Sequence, residues 1–364
     1  MKRLKALLGA AVTAIVLAGP ASAQPTPIDV AANATWMHDT AKVRFPPEID
    51  GFRRSRVQDF GDQRLDVGAT YFEESSGTTA TIYLFRVAEP DVSLWHDRAL
   101  ISIRPHDLLG TPDHSSAVTA AFAPPHSANA SGLLTVLPLS GRSMRSTALA
   151  VFPQGRWLIK VRMSSQGLDP AQLGARVAPF LAALPIDPFV PAAPEAAAPA
   201  AAAMAPCDEG VTFASATRAA RAKSAVMLAL AMNEAAADAV RDALPALRAD
   251  KTPGQAPAPL CRDAASQPGY GVYRRIGVAD QYLIGFGDAG ISAAIGKDRV
   301  VQSLGDPASE NFWVVFANPY KTSFYRGFEA LPAPAQVIAV IDGEQALSSV
   351  ERRDGKANIE VAPD

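Results

Sequence analysis

Trp157-Leu158-Ile159-Lys160-Val161-Arg162-Met163 has a period of two: Trp157, Ile159, Val161 and Met163 fall on one side, and Leu158, Lys160 and Arg162 on the other. Successive side chains of an extended backbone point to opposite faces, so a strand is predicted over Arg156–Met163. Gly155 supplies the tight turn before it. Thr81-Ile82-Tyr83-Leu84-Phe85-Arg86-Val87 is apolar on both alternating faces, which marks Thr79–Ala88 as a central strand. Working outward from these two, further strands are expected at Arg56–Phe60, Asp66–Phe72, Leu133–Leu137 and Arg145–Phe152.

Two helices punctuate the strands. Asp91 caps a short one whose Val92, Trp95, Ala99 and Ile103 share a face. Asp169 caps the other, with Pro170 first in the helix and Gln172 as the reciprocal capping partner. Its stripe is Leu173, Val177, Phe180, Leu181 and Leu184; Pro179 bends or shortens it, and Pro185 ends it. The Pro-, His- and Ser-rich stretch Arg104–Ser131 reads as an extended surface loop. The order βββα-βββα predicts an α+β domain over 33–187, a mainly antiparallel sheet packed by helices. In element order alone it is similar to the PsbP-like α/β/α sandwich. No motif accompanies that likeness, so it bears on the layered fold alone and carries no function with it.

Pro191–Pro206 holds ten alanines and four prolines in sixteen residues. Repeated proline interrupts any helix there, so 188–206 reads as a semi-extended linker that separates its neighbours and lets them reorient. The second α+β domain, 207–350, opens on a long helical region, Thr212–Leu244. Val226, Leu230, Asn233, Ala237, Val240, Leu244 and Leu247 recur there at spacings of four and three. Such a helix either lies across its own sheet or pairs in a homodimer through 212–244. A β-meander follows, with strands at Gly271–Ile276, Gln281–Phe286, Gly290–Ile295, Phe312–Asn318, Thr322–Phe328 and Gln336–Ile341. The segment 351–364 reads as a polar tail that frays.

Residues 1–23 have the layout of a secretory signal peptide: Lys2, Arg3 and Lys5, an apolar run from Ala6 to Ala18, then Ala21-Ser22-Ala23. That run is too short to span a bilayer as an ordinary helix, and no later stretch is apolar enough. Cleavage after Ala23 and a periplasmic, water-soluble product are therefore expected. The full chain has 364 residues, 34 basic and 36 acidic, with a net charge of −2. That balance argues against a nucleic-acid partner. Cys207 and Cys261 are the two cysteines, and in an oxidising compartment they are expected to form one structural disulfide.

Several patterns touch on chemistry. Gly285-Phe286-Gly287-Asp288-Ala289-Gly290 matches a dinucleotide fingerprint literally, yet the following Ile291–Gly296 reads as the return arm of a hairpin. Gly290-Ile291-Ser292-Ala293-Ala294 approaches a nucleophile elbow, but all five histidines lie upstream, between His38 and His126. His96, His106 and His114, beside Asp97, Asp107 and Asp113, are the first places to look for acid–base or metal chemistry, although none has metal-ligand spacing. Arg53, Arg54 and Arg56, with Arg142, Arg145, Lys160 and Arg162, are candidates for a cationic patch against an anionic envelope polymer; the alternative is a solvated sheet face paired with Asp59, Asp62 and Asp66. The aromatics from Phe312 to Phe328 suit a binding platform or a core. No resident metal or cofactor is expected. The function expected from these signals is a non-catalytic periplasmic module that binds a protein or cell-envelope component. An exported hydrolase or metal-dependent enzyme and a periplasmic small-ligand carrier are the alternatives.

Overall fold

The computed structural model of the chain describes residues 25–61, 63–106, 109–141, 143–188, 200–211, 213, 215–219, 258–297, 311–353 and 356–362. The leader-like segment 1–23 and the part of the expected long helix from 220 to 244 lie outside the described residues.

The first region carries β1 (Thr26–Pro27), β2 (Trp36–His38), β3 (Val43–Phe45), β4 (Glu48–Ile49), β5 (Phe52–Asp59), β6 (Asp66–Glu73), β7 (Thr78–Arg86), α1 (Val92–Ser102), β8 (Thr111–Pro112), β9 (Val118–Phe122), β10 (Gly132–Ser140), β11 (Ser146–Gln154), β12 (Trp157–Ser165) and α2 (Pro170–Ala182). Its sheet runs β1-β5-β6-β7-β12-β11-β10-β8, with β4 added to β5 and β9 to β10; β2 and β3 form a separate ribbon. β12 sits between β7 and β11, antiparallel to both, and β7, apolar on both alternating faces, lies inside the sheet between β6 and β12.

The alternation along β12 sorts the core into two layers. Ile159, Val161 and Met163 join Leu173, Val177 and Phe180 of α2, whereas Leu158 joins Leu94, Trp95 and Ala99 of α1. A helix therefore covers each face of the sheet. Lys160 is also buried, so this second face is not the solvated one that its charges suggest. The capping box of α2 forms as read: Asp169 Oδ1 accepts from Gln172 N (2.9 Å), and Gln172 Oε1 accepts from Asp169 N (3.0 Å).

The second region is a meander: β13 (Leu260–Arg262), β14 (Tyr270–Arg275), β15 (Gln281–Phe286), β16 (Ile291–Lys297), β17 (Phe312–Ala317), β18 (Lys321–Phe328), α3 (Pro334–Gly343), β19 (Ser348–Arg353) and β20 (Lys356–Val361), paired in sequence order. Phe312, Val314, Tyr325 and Phe328 form its core with Val337 and Val340 of α3. The aromatic-rich segment thus supplies interior. The whole is a mainly antiparallel β protein, with three α-helices among the described residues.

Four local expectations are corrected. Gln336–Ile341 is helix, not strand: its β-branched run mimics a strand, but Pro334 in the first turn and the Gln336 side chain accepting from Ala333 N (3.2 Å) start a helix whose Val337 and Val340 are buried. The segment read as a polar tail contains β20 and the end of β19, because pairing to β18 gives β19, and β19 gives β20, a ladder to extend. The loop Arg104–Ser131 contains β9, whose uncharged residues satisfy their backbone against β10. The described residues of 213–219 are not helical; Arg218 bridges to Phe328, and Ala219 N donates to Gly327 O (3.0 Å).

The two regions meet along α1. Leu260 and Tyr273 of the second sheet are buried in the same cluster as Leu94 and Trp95. The described end of the Ala/Pro-rich stretch also bears on both regions: Ala201 N donates to Ala130 O (2.9 Å), and Arg262 N donates to Ala205 O (2.8 Å). Cys207 and Cys261 are disulfide-bonded, fixing this stretch to β13. In the chain-entropy model a loop of this length restricts the unfolded state by about 4 kcal/mol.

Replacing Asp169 by alanine removes the side-chain acceptor at the start of α2 and is expected to cost about 1 kcal/mol, read as a lower urea midpoint with unchanged slope. An unchanged midpoint would mean that the cap does not hold this helix.

Candidate functional site

Helix α1 places three polar residues in succession, His96, Asp97 and Arg98, between Trp95 and Ala99. A helix turns about 100° per residue, so these three span most of its circumference. All three are nonetheless buried, at 2%, 5% and 3% exposure, because one sheet lies on each side of the helix. Buried polar groups of this kind require partners.

Each finds its partners in a different place. His96 Nε2 is hydrogen-bonded to Thr135 Oγ1 (2.8 Å), which also meets Thr119 Oγ1 (2.7 Å) in the first sheet. Burial lowers its pKa to about 4, so the ring is neutral near pH 7. Asp97 faces the second sheet, where it accepts from Tyr273 Oη (2.8 Å) and Arg262 Nη1 (2.8 Å). Burial raises the Asp97 pKa, and the Arg262 charge and the Tyr273 hydroxyl oppose that rise. The tyrosine itself is raised, by burial and by the neighbouring carboxylate. Arg98 Nε donates to Gly287 O (3.0 Å), while its buried Nη1 has no hydrogen-bond partner among the described residues.

The seam continues to the tip of the β15–β16 hairpin. Gly287 and Gly290 have positive φ there (57° and 85°), and the register Phe286↔Ile291 makes the glycine-rich run a hairpin turn. Asp288 is held by Lys160 Nζ (2.7 Å) from β12 and by Ser102 Oγ (3.2 Å) from α1. Burial opposes its ionisation, but Lys160, Ser102 and Arg162 outweigh that and keep its pKa below the usual carboxylate range. Lys160 also lies over the Tyr83 ring, 4.7 Å from its centroid. Asp66 at the start of β6 is the third member of this charge group. Burial raises its pKa to about 7; Lys160 pulls it down, and Asp288 and Asp59 push it up.

The other candidate residues make none of the contacts to Asp97 or Asp288 described above, and the histidines and the β5 arginines do not converge. His106 is exposed and bridges to Gly110. His114 opens a single 3-10 turn capped by Asp113, and its Nε2–H donates to Ile103 O (2.9 Å). Arg53, Arg54 and Arg56 lie on β5, three strand spacings, or about 14 Å, from Lys160 on β12. Arg53 and Arg56 are exposed, whereas Arg54 donates to the carbonyls of Phe45 and Ala31. Ser292 is buried within β16. Among the described residues, no group of three His, Cys, Asp or Glu side chains is placed to hold a metal ion, and no helix is long and apolar enough to cross a membrane.

Tyr273, Arg262, Asp288 and Asp66 were not singled out from the sequence as site residues. A signal was present: three successive polar residues on a helix flanked by Trp95 and Ala99 cannot all share its polar side. The arrangement fixes charges between two sheets, and within it burial raises the pKa of Asp66 to about 7.

Among the described residues, β9 and β20 are edge strands that pair on one side only. β9 pairs with β10 alone among the described residues, and Val118 at its start is 70% exposed. β20 closes the other sheet in the same way. Comparison of the chain with protein-family models, with curated proteins and with solved structures finds no match.

Asp66 generates a pH prediction. Its pKa is higher in the folded chain than in the unfolded one, so the native state binds the extra proton; the contribution of Asp66 to stability is greatest below about pH 4, falls as the pH rises through about 7, and is flat above. Asp66→Asn is expected to be more stable than the parent at pH 8 by about 2 kcal/mol, allowing for its partial exposure. The gap should close towards pH 4. Parallel stability–pH curves for the two proteins would contradict this assignment.

Proposed function

We propose that the chain is an exported, non-catalytic binding module that takes up a protein or a peptide-bearing envelope component by strand addition at β9. The observation that carries this reading is the edge itself. Ala117-Val118-Thr119-Ala120-Ala121-Phe122-Ala123-Pro124-Pro125 contains no charge, and the strand within it hydrogen-bonds on one side only among the described residues. Soluble proteins usually defend such an edge with lysine, a bulge or a covering loop. The register with β10 is regular over five pairs, and the ring of Phe122 sits 5.7 Å from that of Phe152, which holds the strand to the sheet. A rigid, uncharged, half-satisfied ladder is what an extended partner segment adds to.

Export rests on the leader pattern of residues 1–23, with cleavage after Ala23, and periplasmic residence is part of the same proposal. The Cys207–Cys261 disulfide is compatible with an oxidising compartment. Within this proposal 33–187 is a first α+β unit with PsbP-like layering, 188–206 a linker and 207–350 a second unit.

Two experiments test it. The immobilised chain is expected to enrich a partner from a periplasmic and envelope extract, and Val118→Lys/Ala120→Lys, with unchanged thermal unfolding, should reduce that enrichment at least about tenfold. Equal capture by both proteins, or no enriched partner under several conditions, would overturn the binding reading. Limited proteolysis should cut first within Pro191–Pro206; first cuts inside either sheet would refute the division into two units.

A further inference from the structure

Strand β20 is the last of the eight-stranded sheet, and residues 357–361 are all exposed. Ile359 and Val361 are 38% and 40% exposed, although Val350, opposite Ile359 on β19, is fully buried. An apolar layer therefore runs out to an open edge. Ala362 N donates to Leu347 O (2.9 Å), continuing the register in which Glu360 opposes Ser349 and Asn358 opposes Glu351. In an antiparallel ladder alternate residues bond to the same neighbour. Residues 356, 358, 360 and 362 thus bond inward to β19, while 357, 359 and 361 turn their N–H and C=O groups to the open side.

The charges on this edge are self-complementary. Lys356 and Glu360 are four residues apart, with Asn358 midway. When a second copy approaches antiparallel about an axis through Asn358, Lys356 of each chain takes the register position opposite Glu360 of the other. Ala357 then opposes Ile359, and those residues carry the outward backbone groups. Centring the pair on Ile359 instead sets the register position of Lys356 against Ala362 and that of Glu360 against Asn358, so residues of opposite charge no longer face one another. Opposite charges directly across a strand pair stabilise it, and like charges destabilise it. Glu360 already accepts from Lys321 (3.2 Å) and Ser349 (3.3 Å) through Oε2, and a carboxylate accepts on both oxygens.

We propose that β20 pairs with β20 of a second copy about Asn358, joining two eight-stranded sheets into one of sixteen strands. This surface is separate from β9 and does not depend on the binding reading. One strand pair is a small interface, so dimers are expected at about 10–100 µM rather than at nanomolar concentration.

Sedimentation velocity on the full oxidised chain should show a concentration-dependent dimer. Lys356→Glu should shift it to monomer, and Lys356→Glu/Glu360→Lys, which exchanges the charges, should restore the dimer. Because Asn358 meets its own copy in a non-hydrogen-bonded pair, Asn358→Cys should form a disulfide-linked dimer on mild oxidation, whereas Ala357→Cys, facing Ile359, should not. A monomer at about 200 µM, a dimer indifferent to Lys356→Glu, or equal cross-linking at 357 and 358 would each overturn the proposal.

Discussion

The constraint that organises this molecule is the burial of three consecutive polar side chains on one helix. His96, Asp97 and Arg98 leave water almost completely. An uncompensated buried charge is costly, so α1 is stable only where both neighbouring layers supply partners. The first sheet answers His96 through Thr135; the second answers Asp97 through Tyr273 and Arg262. Removing either layer would expose apolar surface and strand a polar group at the same time. Helix α1 therefore couples the two regions more strongly than the alanine- and proline-rich stretch between them suggests.

Lys160 shows how that coupling reaches across the chain. It lies on the face of β12 covered by α1, and its ammonium is bound by a hairpin tip 128 residues further on. Asp288 takes up the charge, while Asp66 is pushed towards neutrality by burial and by its acidic neighbours. A lysine between two carboxylates neutralises one of them well; the second holds its proton into the neutral range. The chemistry of this group is thus a proton equilibrium tied to packing between sheets. The open backbone ladders lie elsewhere, at β9 and β20, where nothing in the chain completes them among the described residues.

Much of the first sheet was legible because its signals are local. The period-two alternation of Trp157–Met163, the two-faced apolar run of Thr81–Val87 and the Asp169-Pro170-Gln172 start of α2 each involve only neighbours a few residues apart. The hairpin reading of Gly285–Gly290 was accessible for the same reason, since the apolar return arm from Ile291 follows the glycines directly. Misreadings arose where two local codes overlap. Val337-Ile338-Ala339-Val340-Ile341 satisfies strand propensity, and the capping residues just ahead of it decided for helix. In the last strand Ala357, Ile359 and Val361 alternate with Lys356, Asn358 and Glu360, a period-two signal that the charges of the segment masked.

The amino-acid sequence determined which segments extend, which coil, and that Cys207 and Cys261 have only each other. It did not determine which face of a strand or helix meets solvent once a second layer arrives. Lys160 and Arg162 look like a wet face from β12 alone, and His96–Arg98 look like the outer side of a helix packed on one sheet. Tertiary structure placed a second sheet against Lys160 and against Asp97 and Arg98, giving each a partner from that sheet. The physical reason is range: backbone preference is set by adjacent residues, whereas solvation depends on whatever else the chain brings within a few ångströms, here from residues more than a hundred positions away.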